Sequence, residues 1–65
     1  MDRPNEKLIR EFEQLKGMEE EASAIYEKII PLLDNEEYKK TLTRIKDDEG
    51  RHAKMAQSII DLLSS

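Results

Sequence analysis

Residues 38–63 read YKKTLTRIKDDEGRHAKMAQSIIDLL, and their apolar side chains recur in alternating steps of four and three. A repeat of this length keeps one face of a helix turned towards a partner helix in a left-handed bundle. The stripe consists of Tyr38, Leu42, Ile45, Glu49, His52, Ala56, Ile59 and Leu63. It therefore predicts an amphipathic helix whose apolar face is interrupted only at its midpoint.

The first half of the chain carries a second stripe with the same spacing. Its members are Leu8, Phe12, Leu15, Glu19, Ala22, Tyr26, Ile29 and Leu33. A first helix should run from about 5 to 33, beginning near Pro4 or Asn5, because proline is tolerated in a first turn and asparagine can cap it. Pro31 should kink the last turn or end the regular helix near Ile30.

Asp34 and Asn35 separate the two stripes and should form a turn, with a second helix from about 36 to 63. The predicted fold is all-α: an antiparallel two-helix hairpin, forming a single domain over residues 1–65. Such a hairpin buries too little apolar surface to be stable alone. Further apolar residues beside the stripes widen the apolar face: Met18, Ile25, Met55, Ile60 and Leu62. We therefore expect a two-fold dimer that completes a four-helix bundle.

Composition excludes several classes of function. There is no cysteine, so disulfides, zinc-thiolate sites and iron–sulfur clusters are ruled out. The net charge of −4 disfavours nucleic acid and favours the approach of cations. No apolar run has membrane-spanning length, and Met1 is followed by polar residues rather than an export signal. We expect a soluble, cytoplasmic protein that binds neither nucleic acid nor membrane.

Glu19, Glu49 and His52 occupy the midpoints of the two stripes, where they should face a core. A buried unpaired carboxylate costs several kcal/mol, and one metal ion could satisfy all three side chains. Glu49 and His52 form a Glu-x-x-His unit, which places both on one helix face. That unit alone is a weak signal, because a lone histidine on such a stripe is more often packed than metal-bound. Glu19 and Glu49, however, each lie about 22 Å from the turn at 1.5 Å per residue, and so should meet.

Two copies of the hairpin would supply four glutamates and two histidines. This is the donor set of carboxylate-bridged di-iron sites in four-helix bundles. The sequence thus predicts a di-metal site at a dimer interface. Oxygen and imidazole donors without sulfur suit iron or manganese, and zinc or cobalt would bind the same donors in vitro.

Tyr26 follows Glu19 by seven residues, and the Glu49-x-x-His52 unit begins thirty residues after Glu19. This combination resembles one half of a ferritin or rubrerythrin bundle. It is most similar to the encapsulated ferritins, two-helix proteins that complete their ferroxidase centre between subunits, and the similarity covers residues 15–63. The resemblance implies iron bound by Glu19, Glu49 and His52, with Tyr26 orienting a carboxylate. It also implies oxidation of ferrous iron by dioxygen for iron storage, in annular assemblies of dimers.

Members of that family reside in encapsulin shells and carry a C-terminal extension that docks there. The present sequence ends at Ser65, directly after the second helix, so an encapsulin compartment and the open cytoplasm are both retained as locations. Glu20 and Glu21 are read as a solvated acidic face in preference to a route for incoming metal. Gly50 is read either as tolerated or as allowing another helix to approach. The alternative function is a non-catalytic metal-binding or structural bundle in which the Glu/His cluster sets the register.

Overall fold

Two antiparallel helices joined by a short turn make up the computed structural model, which describes residues 5–65. Helix α1 spans Glu6–Ile29 and helix α2 spans Glu36–Ser64. The predicted first-turn position Pro4 lies outside the described residues. Over the described range there is no strand, and the molecule measures 55 × 14 × 10 Å. The prediction of an all-α two-helix hairpin is therefore confirmed.

The regular helix ends near Ile30, as predicted from Pro31, and thus before residue 33, the last position of the apolar stripe. Helix α1 ends at Ile29, and a short 3-10 turn spans Ile30–Leu32 with Pro31 inside it. Proline lacks an N–H and crowds the preceding turn, so the α-helix does not continue to residue 33. Leu33 then has extended backbone angles, which turn the chain towards α2.

Asn35 is the cap that starts α2. Its Oδ1 accepts hydrogen bonds from the backbone N–H groups of Glu37 at 2.9 Å and Tyr38 at 3.1 Å. The first turn also carries the acidic Glu36 and Glu37, whose negative charge is stabilised by the positive end of the helix dipole. Residue-level capping thus fixes where the second helix begins.

The contact between the helices is centred on small side chains of α2. Ala53, Ala56 and Ile60 are the buried hydrophobic residues of the hairpin. The sequence pattern predicts a flanking position for Ile60, and this prediction is wrong, because Ile60 packs in the interior while Tyr38 and His52 are exposed. The face of α2 that contacts α1 is therefore turned about the helix axis from the predicted stripe, towards Ala53 and Ile60.

The two broad faces of the hairpin differ in chemistry. One of them, here called the apolar face, displays large exposed side chains. Several of these residues are seven positions apart in sequence, a spacing that places them on the same side of a helix. The exposed members of the apolar face are Leu8, Leu15, Met18, Ile25, Ile29, Tyr38, Met55 and Leu62. The opposite, polar face carries a groove of about 380 Å³ lined mainly by polar and small residues, among them Lys16, Glu20, Ser23 and Gln57. The hairpin is thus one-sided, with its apolar surface available to another partner.

Candidate metal centre

Glu19, Glu49 and His52 come together at mid-height of the hairpin. Glu19 lies in the middle of α1, while Glu49 and His52 are one turn apart on α2. One donor atom from each side chain lies within 4.8 Å of the other two. The grouping predicted from the sequence is therefore present in the fold.

Glu19 is the most enclosed member of the cluster. Its side chain is 16% exposed, and its Oε2 atom is buried without a hydrogen-bond partner. The Nδ1 atom of His52 lies 3.5 Å from that oxygen, too far for a strong hydrogen bond. An unpaired buried carboxylate oxygen is costly, so this position favours a hydrogen-bond donor or a cation beside it.

The pKa of Glu49 reflects the negative charge gathered in the cluster. Its pKa is raised from the ordinary value of 4.5, first by a side-chain hydrogen bond with Glu19 and then by desolvation and repulsion from Glu19. His52 lowers the pKa of Glu49, and Asp48 raises it further. Glu49 therefore holds a proton more readily than an isolated glutamate would, and a cation would compete for that place.

The donor geometry is close to what a single cation requires. Donors bound at about 2.1 Å on opposite sides of one ion are about 4.2 Å apart. The three donor atoms of the cluster lie within 4.8 Å of one another, a separation of the same order. Two carboxylates and one imidazole are hard or borderline donors that fit iron, manganese or zinc. The residues present therefore fit a transition-metal ion, with coordination positions left over for further ligands.

The cluster opens onto the apolar face. His52 is 50% exposed, and together with Glu19 it borders a groove of about 210 Å³. The remaining walls of this groove are apolar: Phe12, Leu15, Met55, Ala56 and Ile59. Two of the three candidate donors thus lie beside an apolar groove that is open in the single hairpin.

Two neighbours of the centre were missed in the sequence. Asp48 raises the pKa of Glu49, and Asp48 also forms an ion pair with Arg51. Met55 had been read only as widening the apolar face, yet it lines the same groove as His52. Its position three residues after His52 was the signal that could have found it, since residues three apart share a helix face.

The remaining candidate residues do not join the cluster. Tyr26 is half-buried two turns from Glu19, and its hydroxyl does not bond the Glu19 Oε2 atom, which has no partner. Its orienting role stays a prediction. Glu20 lines the polar groove and pairs with Lys16 at 3.8 Å, and Glu21 is exposed. Glu20 therefore belongs to the face opposite the cluster.

No protein-family model, curated protein or solved structure matches this chain. Neither helix within residues 5–65 combines the length and the apolar content needed to cross a membrane. A functional assignment therefore depends on the chemistry of the cluster and of the face around it.

Proposed function

We propose that two copies of this hairpin form a ferritin-like four-helix bundle that oxidises ferrous iron with dioxygen, in the manner of the encapsulated ferritins. The observation that carries the proposal is the meeting of Glu19, Glu49 and His52 beside an apolar groove that Glu19 and His52 line, on a face that exposes large hydrophobic side chains. The biological role would be storage or detoxification of iron.

A second copy of the hairpin is needed because the donor set of one copy is incomplete. One hairpin offers three donors, fewer than two bridged ions require, and two copies offer six. The cluster lies near the middle of both helices, so a two-fold axis perpendicular to them at this height would bring the two clusters together. The same operation would cover the apolar faces of both copies, as expected for an isologous interface.

The chemistry follows from the charge of the cluster. Iron is the substrate: two ferrous ions held between carboxylates can each give an electron to the same dioxygen molecule. The unpaired oxygen of Glu19 attracts a cation, and a cation at this position would compete with the proton that the raised pKa of Glu49 favours. Anionic oxygen ligands stabilise the ferric product over the ferrous substrate. His52 adds a neutral nitrogen ligand, and Tyr26 would orient a carboxylate.

Stopped-flow absorbance after mixing protein with ferrous iron in air tests this proposal. The parent protein should form ferric product faster than buffer, while Glu49→Ala and His52→Ala should approach the rate of buffer. Glu21→Ala removes an exposed glutamate from the same protein and should match the parent. If the parent binds iron but oxidises it no faster than buffer, the protein is a metal-binding bundle and not an enzyme.

A titration with iron, manganese or zinc separates ligand assignment from turnover. We expect one di-metal site per dimer, weakened by His52→Ala while the helical content persists. A parent protein that takes up none of these metals would contradict the ligand assignment and favour a purely structural Glu/His cluster.

A further inference from the structure

Two of the three methionines lie close in sequence to residues of the candidate centre. Met18 directly precedes Glu19, and Met55 lies three residues after His52. Their exposed fractions are nearly equal, 60% for Met18 and 58% for Met55. Met55 lines the groove that contains Glu19 and His52, whereas Met18 is not among its walls. The two residues therefore differ in their access to the centre and hardly at all in exposure.

Met55 supplies the only sulfur atom in the lining of that groove. Most other walls are hydrocarbon side chains, which hydrogen peroxide does not attack under mild conditions. A thioether is readily oxidised to a sulfoxide, which turns a flexible apolar side chain into a polar one. An oxidant released into the groove would therefore meet one preferred target.

We infer that Met55 is an oxidation site fed by the centre itself, and that its sulfoxide weakens the association of the two copies. This inference rests on the proposed function. Two ferrous ions each give one electron to dioxygen, which takes up two protons and leaves as hydrogen peroxide. The Met55 sulfur then attacks one peroxide oxygen, the O–O bond breaks, a sulfur–oxygen bond forms and water leaves. The sulfur loses two electrons, and the peroxide gains them.

The consequence for assembly follows from where Met55 lies. It belongs to the row of the apolar face that also contains Leu62, 75% exposed in the single hairpin. A sulfoxide oxygen enclosed by a second copy would lose its water without gaining a donor among apolar walls, which is unfavourable. Iron turnover would thus limit itself by loosening the dimer, and enzymatic reduction of the sulfoxide would restore it.

Peptide mass spectrometry can compare Met55 with Met18 in the same molecules. One sample receives ferrous iron in air with catalase present, and another receives hydrogen peroxide without iron. Reagent peroxide reaches both methionines from the solvent, so it gives the Met55-to-Met18 ratio that solvent access alone produces. Turnover should oxidise Met55 several-fold more than Met18, since catalase removes only peroxide that has escaped. An equal Met55-to-Met18 ratio in the two samples would overturn the inference.

A pair of variants tests the effect on assembly. Met55→Leu conserves volume and should keep its dimer fraction through repeated turnovers, whereas Met18→Leu should lose dimer as the parent does. Ferric product is measured in the same samples. If it forms rapidly while the oxidation ratio is unchanged, only this inference fails; if none forms, the proposed function fails and takes the inference with it.

Discussion

Glu49 is the residue at which folding stability and metal binding oppose each other. Its raised pKa means that the folded hairpin binds the Glu49 proton more tightly than the unfolded chain does. The resulting stabilisation is fully present below the ordinary value of 4.5 and is lost as pH rises through the raised pKa. Where Glu49 is ionised and no metal is bound, its charge beside Glu19 therefore makes the fold less stable.

Glu49→Gln should raise the melting temperature of the metal-free protein at neutral pH, because glutamine resembles the protonated side chain. The gain should shrink as pH falls through the raised pKa towards 4.5, where the parent is itself protonated. Added metal should raise the melting temperature of the parent and hardly affect the variant. Thermal unfolding with and without metal, at a series of pH values, measures both effects.

Glu21→Gln is the matched control for this experiment. It removes the same charge from an exposed position on α1 outside the cluster. Its melting temperature should follow the parent in both pH dependence and response to metal. If Glu21→Gln and Glu49→Gln behaved alike, the effect would come from net charge and not from the Glu19–Glu49 pair.

At the scale of the elements, the two helix starts are capped differently. Asn35 accepts two backbone hydrogen bonds at the start of α2, whereas the Asn5 side chain makes no cap hydrogen bond. Asn35→Ala should therefore lower the free energy of unfolding by about 1 kcal/mol. Asn5→Ala should cost clearly less, since its amide makes only a long, exposed contact of 3.4 Å to the Leu63 carbonyl. Equal losses in urea unfolding would contradict this assignment of the caps.

Gly50 interrupts α2 between Glu49 and His52. A Cβ added there would meet no atom within 4 Å, and the residue lines the groove of the polar face. Gly50→Ala should therefore stabilise the hairpin by about 1 kcal/mol through helix propensity and leave assembly unchanged. Urea unfolding and native mass spectrometry measure the two outcomes, with Gly17→Ala as the control. Loss of assembly in Gly50→Ala alone would mean that another helix approaches this position.

The periodicity of the sequence predicted the helices but not their rotation. The apolar arc on α2 is wider than one helix contact, so several rotations would bury hydrophobic side chains about equally well. Ala53 and Ala56 decide among them, because small side chains allow the closest approach of α1. Hydrophobicity alone placed Ile60 at the edge, although it is part of the interior.

The site was more predictable than the rotation of the helices. Spacing of three residues joins Glu49 to His52, and equal distance from the turn joins Glu19 to Glu49, so neither relation depends on fine packing. The exposure of His52 and the position of Met55 in the groove depend on which face of α2 packs against α1. They could be read only once the rotation of α2 was known.

For the whole molecule, the apolar face predicts assembly. Leu8 is 49% exposed on that face, about 16 Å along α1 from Glu19. Leu8→Asp should not weaken helix α1 itself, because an acid in a first helical turn agrees with the helix dipole. It should nevertheless make the protein monomeric at micromolar concentration, because a charge would lie in the interface.

Ala24→Asp places the same charge in the groove of the polar face and should preserve assembly, although aspartate is the poorer helix former there. Sedimentation with circular dichroism measures mass and helical content for both variants. Iron oxidation per chain should be lost in Leu8→Asp and retained in Ala24→Asp, because the proposed centre needs donors from two copies. A helical Leu8→Asp monomer that oxidises iron at the parent rate would mean that one hairpin holds a complete site, and the two-fold centre would be wrong.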